Sequence, residues 1–140
     1  MNRLTSEIYR DYNRAENSHD LVGTTRLLAP DLKVKVNGVA QLSSAADDEI
    51  AMNILYRCYP DYHREIVQII ESGDVAVVVW RMKGTPSKSH GDIPDLSVEG
   101  VSVVKGNGSV LTEASLYADS SALEHALALA HEEPRSQENS

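Results

Sequence analysis

Residues 63–119 carry four strand-like runs separated by turn signals, and this pattern most narrows what the chain can fold into. The first, residues 63–71, is followed by Ser72-Gly73-Asp74, a tight-turn sequence. Residues 75–83 form the most strand-like segment of the chain, dominated by valine. A polar loop over 84–94 follows. Residues 97–105 and 110–119 are joined by Gly106-Asn107-Gly108, a hairpin signature, because Gly and Asn tolerate the left-handed backbone such turns need.

Helical periodicity comes before these strands. Ile8, Tyr9, Tyr12 and Ala15 recur at spacings of three and four behind Thr5 or Ser6, either of which suits a helix cap. Asn17-Ser18-His19-Asp20 interrupts that helix. Asp20 can cap a second, short one ending near Ala29, since Pro30 cannot continue it. Leu32-Lys33-Val34-Lys35-Val36 alternates apolar and basic residues, a half-exposed strand that stops at Asn37-Gly38. Ser44 and Asp47 resemble a capping box. The helix behind them places Ile50, Ala51, Ile54, Leu55 and Cys58 on one side and ends at Pro60. A last helix is expected after Asp119, through Leu123, Leu127 and Leu129. The order predicts an α+β fold: a curved, mostly antiparallel sheet with helices covering its concave face. One helix layer leaves part of a curved sheet uncovered, so the concave side is expected to hold a pocket.

A chain of 140 residues fits one domain, expected over 1–131, with a polar, disordered tail over 132–140. The formal charge of −8 repels phosphate and anionic lipid, so no nucleic acid and no membrane is expected as partner. The N-terminal stretch is charged throughout, without an apolar signal-peptide core, and a cytoplasmic location is the expectation. Cys58 is the single cysteine, which leaves no disulfide and no thiol metal site. No two of His19, His63, His90, His125 and His131 stand four apart, so no metal is expected. Phosphate-binding and dinucleotide motifs are missing, and the expectation is no cofactor. Phe is absent beside six Tyr and one Trp, which suits an aromatic cavity wall that also hydrogen-bonds.

Several segments resemble the SnoaL-like polyketide cyclases of the nuclear transport factor 2-like superfamily. They are Ala29-Pro30-Asp31 with Val34–Gly38, Tyr59-Pro60-Asp61-Tyr62-His63, and Gly73-Asp74-Val75-Ala76-Val77 through Trp80 with Gly84-Thr85. The last is Gly106-Asn107-Gly108 through Glu113 and Asp119. The resemblance covers most of the chain and implies the cone fold of that superfamily. It also implies that Asp119 faces the pocket as acid/base, with Arg81 and Lys83 on the same side. Arg81 or a Tyr hydroxyl would steady a developing oxyanion, and the cationic pair would meet a substrate carboxylate. Glu113, Ser115 and Tyr117 share the face of Asp119, against Ala114, Leu116 and Ala118 on the other. Solvation of that polar face is the alternative that alternation alone leaves open.

Tyr12 and Tyr59 are expected as cavity wall, and His63 at its mouth. The family's Gly-Thr-His is Gly84-Thr85-Pro86 here, with His90 the nearest imidazole to replace the missing one. The epoxide-hydrolase branch uses Arg-x-Asp on the central strand. Here Arg81-Met82-Lys83 lacks that second carboxylate. The resemblance thus implies a cofactor-independent cyclase or isomerase acting on a hydrophobic, carbonyl-bearing, polyketide-like metabolite. A non-catalytic binding or assembly module and a hydroxylase- or dehydratase-like relative are the alternatives. A homodimer through the convex sheet face is expected, with Val78, Trp80 and Met82 as its contacts.

Overall fold

The computed structural model describes residues 3–90 and 93–119. Two helices, α1 (Thr5–Asn17) and α2 (Leu21–Arg26), lead into strands β1 (Leu28–Val36) and β2 (Val39–Leu42). Helix α3 (Ala45–Cys58) follows, then β3 (His63–Ser72), β4 (Val75–Gly84), β5 (Leu96–Gly106) and β6 (Leu111–Ala118). The six strands form one sheet in the order β2-β1-β6-β5-β4-β3. Only the central β1–β6 pair is parallel, and the other neighbours are antiparallel. The expected α+β architecture, a curved sheet with helices over its concave face, is therefore present.

Three local expectations change. Helix α2 stops at Arg26, and Leu28 already pairs with Leu111 of β6. Backbone pairing to the sheet captures this segment before the helix can extend, and Pro30 sits exposed where the β1–β6 register is interrupted. Strand β2 was not anticipated. Asn37 and Gly38 both adopt positive φ, 51° and 85°, and Val36 pairs directly with Val39 across them. That is a two-residue hairpin turn, so Asn-Gly reverses the strand rather than ending it.

Helix α3 is rotated relative to its expected face. Ala45, Asp48, Met52, Leu55 and Cys58 are buried, whereas Ile50 is 61% exposed. The cap itself is at Ser44 as expected, its Oγ accepting from Asp47 N–H at 3.1 Å, and only the return bond moves, the Asp47 carboxylate accepting from the Ser43 N–H at 3.2 Å.

Strand alternation decides which residues meet the helices. On β4, Ala76, Val78, Trp80 and Met82 are buried in the core beneath α1, while Val75, Val77, Val79, Arg81 and Lys83 point outward. Val78, Trp80 and Met82 are thus core residues rather than convex-face contacts. Gly100 on β5 lies opposite Trp80. A Cβ there would stand 2.6 Å from Trp80 Cη2 and 2.7 Å from Ala118 Cβ. Gly100→Ala is accordingly expected to lower stability by about 1–3 kcal/mol through overpacking, read as a reduced urea midpoint with unchanged slope.

The expected last helix, the polar tail, His125 and His131 lie outside the described residues. Among the described residues no helix is long and apolar enough to cross a membrane.

Candidate active site

The concave face of the sheet, α1 and α3 border a cavity of about 260 Å³. Most of its wall is aliphatic: Leu28, Leu32 and Val34 of β1, Met52 and Leu55 of α3, and Ala114, Leu116 and Ala118 of β6. Polar groups gather at one part of it. Tyr9, Tyr12 and Glu16 come from α1, Asp48 from α3 and Arg64 from β3. Positions 9, 12 and 16 are spaced three and four apart, so one helix face delivers all three.

Glu16 is 0% exposed. Its carboxylate accepts from Tyr62 Oη at 2.6 Å and stands 3.5 Å from Arg64 Nη1. The same Arg64 nitrogen donates to the Tyr9 hydroxyl oxygen at 3.0 Å. The guanidinium lies over the Trp80 ring, 4.7 Å from its centre. Burial works against the Arg64 charge, but Glu16 and the tyrosine hydroxyls around it outweigh that and hold it protonated. The backbone of Arg64 is fixed from α1. Asn17 accepts from its N–H at 2.7 Å, and Asn17 and Asn13 donate to its carbonyl at 2.9 and 3.2 Å. Burial raises the hydroxyl pKa of Tyr9 and raises that of Tyr12 and Tyr62 further, so all three remain neutral donors.

Asp48 is the group with chemical reach. It is 8% exposed and accepts from Tyr12 Oη at 3.1 Å. Burial, aided by the nearby Glu16 charge, raises its pKa to about 6, against the opposing pull of the Tyr12 hydrogen bond and of Arg64. A carboxylate with that affinity is largely ionised at neutral pH yet basic enough to take a proton from carbon and return it.

Of the residues expected at the site, Tyr12 lines the cavity. Asp119 does not. It is exposed just beyond β6, where Ala118 rather than Asp119 faces inward. Glu113 and the half-exposed Tyr117 share its outward face, and Glu113 stands 4.0 Å from Lys105. Arg81 is exposed and donates to Glu99 at 2.5 Å, and Lys83 is exposed two residues further on. The physical reason is common to all five. The curved sheet turns its small and apolar positions toward the helices, and this polar set occupies the alternate face.

Tyr59 is buried but outside the cavity wall, its hydroxyl donating to the Pro94 carbonyl at 2.9 Å. His63 is exposed at the start of β3, with Nδ1 3.3 Å from the Asp61 carbonyl oxygen. His90 ends a short 3-10 turn, Lys88–His90, and its side chain is outside the described part.

Sequence reasoning passed over Glu16, Asp48 and Arg64. Each had a signal: a charged residue in phase with buried positions. Glu16 follows Ile8, Tyr9 and Tyr12, Asp48 follows Ala45 and precedes Met52, and Arg64 alternates with Tyr62. A charge on an apolar face is rarely buried without a paired or functional role.

Comparisons with known proteins agree with this architecture. IdmH of Streptomyces antibioticus, assigned as a polyketide cyclase, superimposes with a TM-score of 0.74 at 16% identity, over 90% of this chain and 99% of that one. AclR of Streptomyces galilaeus, assigned as a hydroxylase, gives 0.70 at 17% identity, over 89% and 95%. An NTF2-like protein from Cytophaga hutchinsonii gives 0.68 at 10% identity, over 87% and 96%. A search of curated proteins finds no match. The shared fold is the nuclear transport factor 2-like cone, and the SnoaL-like domain model aligns with residues 9–124. With that span covering most of its length, the chain belongs to the SnoaL-like domain family.

Proposed function

We propose that the chain is a cyclase or isomerase that moves protons on a hydrophobic carbonyl compound held in the cavity, with Asp48 as the acid/base. The observation that carries this reading is a carboxylate raised to about pKa 6 at the polar end of a mostly aliphatic cavity. Asp48 takes a proton from the carbon beside the carbonyl, leaving an enolate. Tyr9, its oxygen already hydrogen-bonded by the Arg64 guanidinium, donates to the enolate oxygen. In a cyclisation the enolate carbon forms a bond to a second carbonyl carbon. The resulting alkoxide recovers the proton from Asp48. In an isomerisation the same proton returns to a different carbon. The role that resemblance assigns to Asp119 thus passes to Asp48.

The test follows deuterium exchange at the carbon beside the carbonyl of 2-tetralone, which reads proton abstraction without knowledge of the natural product. Wild type and Asp119→Asn are expected to accelerate exchange equally, and Asp48→Asn to lose the acceleration. The reverse ranking of the two variants refutes the assignment.

We also propose a homodimer through the outer sheet face, where the half-buried Val77, Val79, Val101 and Val103 lie beside Tyr117, 50% exposed. Such a patch pairs with its own copy about a twofold axis. Light scattering should show a dimer for wild type and a monomer for the Val79→Lys/Val101→Lys double variant. A wild-type monomer at tens of micromolar contradicts it.

A further inference from the structure

The size and charge of the cavity define its ligand more narrowly than family membership does. We infer that it takes neutral ketones of about two fused rings and excludes both carboxylates and four-ring polyketides. The inference rests on the reading of this cavity as the substrate site.

Size is the first argument. An apolar cavity of about 150 Å³ in another protein holds one benzene. The cavity here is about 260 Å³, room for about two rings. Its wall cannot yield easily on the sheet side. Trp80 is buried in the core with its indole N–H donating to Ser102 Oγ at 2.8 Å, and even a Cβ added at Gly100 would clash with Trp80 and Ala118. A four-ring skeleton is about twice that size and cannot be held within this volume.

Charge is the second. Among the described residues, the ionisable acids and bases of the wall, tyrosines aside, are Glu16, Asp48 and Arg64. Arg64 is committed to Glu16, Tyr9 and the face of Trp80. Two carboxylates against one cation leave the ionised cavity net negative, inside a chain that is itself −8. An anionic ligand would be desolvated there with no free cation among the described residues to receive it. Arg81 and Lys83, the pair expected to bind a substrate carboxylate, lie on the other face of β4.

Trp80 is the single tryptophan of the chain and lines this cavity, so its fluorescence reports occupancy directly. Wild-type protein at pH 8 would be titrated with 2-tetralone, with tetralin-2-carboxylate and with a neutral four-ring ketone of steroid skeleton. Quenching of free tryptophan serves as the reference. A saturable change with 2-tetralone is expected, with the carboxylate at least about tenfold weaker and the four-ring ketone without a saturable change. Equal or tighter binding of either comparison compound overturns the inference, as does the absence of saturation with 2-tetralone. Binding does not require Asp48 chemistry. If 2-tetralone saturates but Asp48→Asn exchanges deuterium as fast as wild type, the catalytic reading falls and the ligand class stands.

Discussion

Asp48→Asn is expected to lower the deuterium-exchange rate of 2-tetralone by about 10²–10⁴-fold, the usual worth of a positioned general base. Asparagine keeps the shape and can still accept from Tyr12, so the loss isolates proton transfer from packing. The variant should at the same time be more stable than wild type above pH 6. The Asp48 carboxyl holds its proton up to about pH 6 in the folded chain, against an ordinary value of 3.8. The folded state therefore binds the proton more tightly than the unfolded one. As pH rises from about 4 to about 6, wild type loses stability, and the loss is complete above 6. A shift of this size corresponds to about 3 kcal/mol. Asp48→Asn lacks that slope. Urea unfolding of both proteins at pH 4 and pH 7.5 checks this, and parallel pH dependence in the two would contradict it. A group that weakens the fold while serving the reaction is the expected trade-off at a tuned site.

Arg64→Met is expected to be the most destabilising single change, at about 3–5 kcal/mol, because it strands the fully buried Glu16 carboxylate without its cation. Glu16 has no reserve, since its Oε1 already makes no hydrogen bond and meets only the Arg64 charge, at 3.5 Å. Tyr9 loses its donor in the same variant. The Glu16→Leu/Arg64→Met double variant should recover most of that stability, because it removes both charges together. Urea midpoints of the wild type, the two single variants and the double variant decide it. An Arg64→Met midpoint within about 1 kcal/mol of wild type would show that the pair contributes little.

Much of the fold was legible because it depends on local signals. The Asn107 turn, the valine-rich β4 and the periodicity of Tyr9 and Tyr12 each specify their element from neighbouring residues. What was lost depended on pairing partners far along the chain. Leu28 joins the sheet because of Leu111, and nothing between 21 and 30 announces that. Asn37-Gly38 did carry the hairpin signal for β2. The short exposed strand behind it, Val39–Leu42, shows little of the alternation that would mark it.

The site was harder to read for a different reason. Alternation assigns Glu113, Tyr117 and Asp119 to one face but does not say which face is the inside. Resemblance pointed inward, whereas the apolar set Ala114, Leu116 and Ala118, in register with buried Ser102 and Val104 on β5, lines the cavity. The residues that do meet there, Glu16, Asp48 and Arg64, come from three separate elements. Their convergence exists only in the folded chain.

The most direct measurement is a carbon-13 NMR titration of the aspartate carboxyls, with Asp48→Asn used to assign the resonance. One carboxyl should titrate near pH 6 in wild type and be missing from the variant. If Asp48 instead titrates near pH 4, like an ordinary solvated aspartate, the cavity does not tune it, and the case for proton transfer at this position fails.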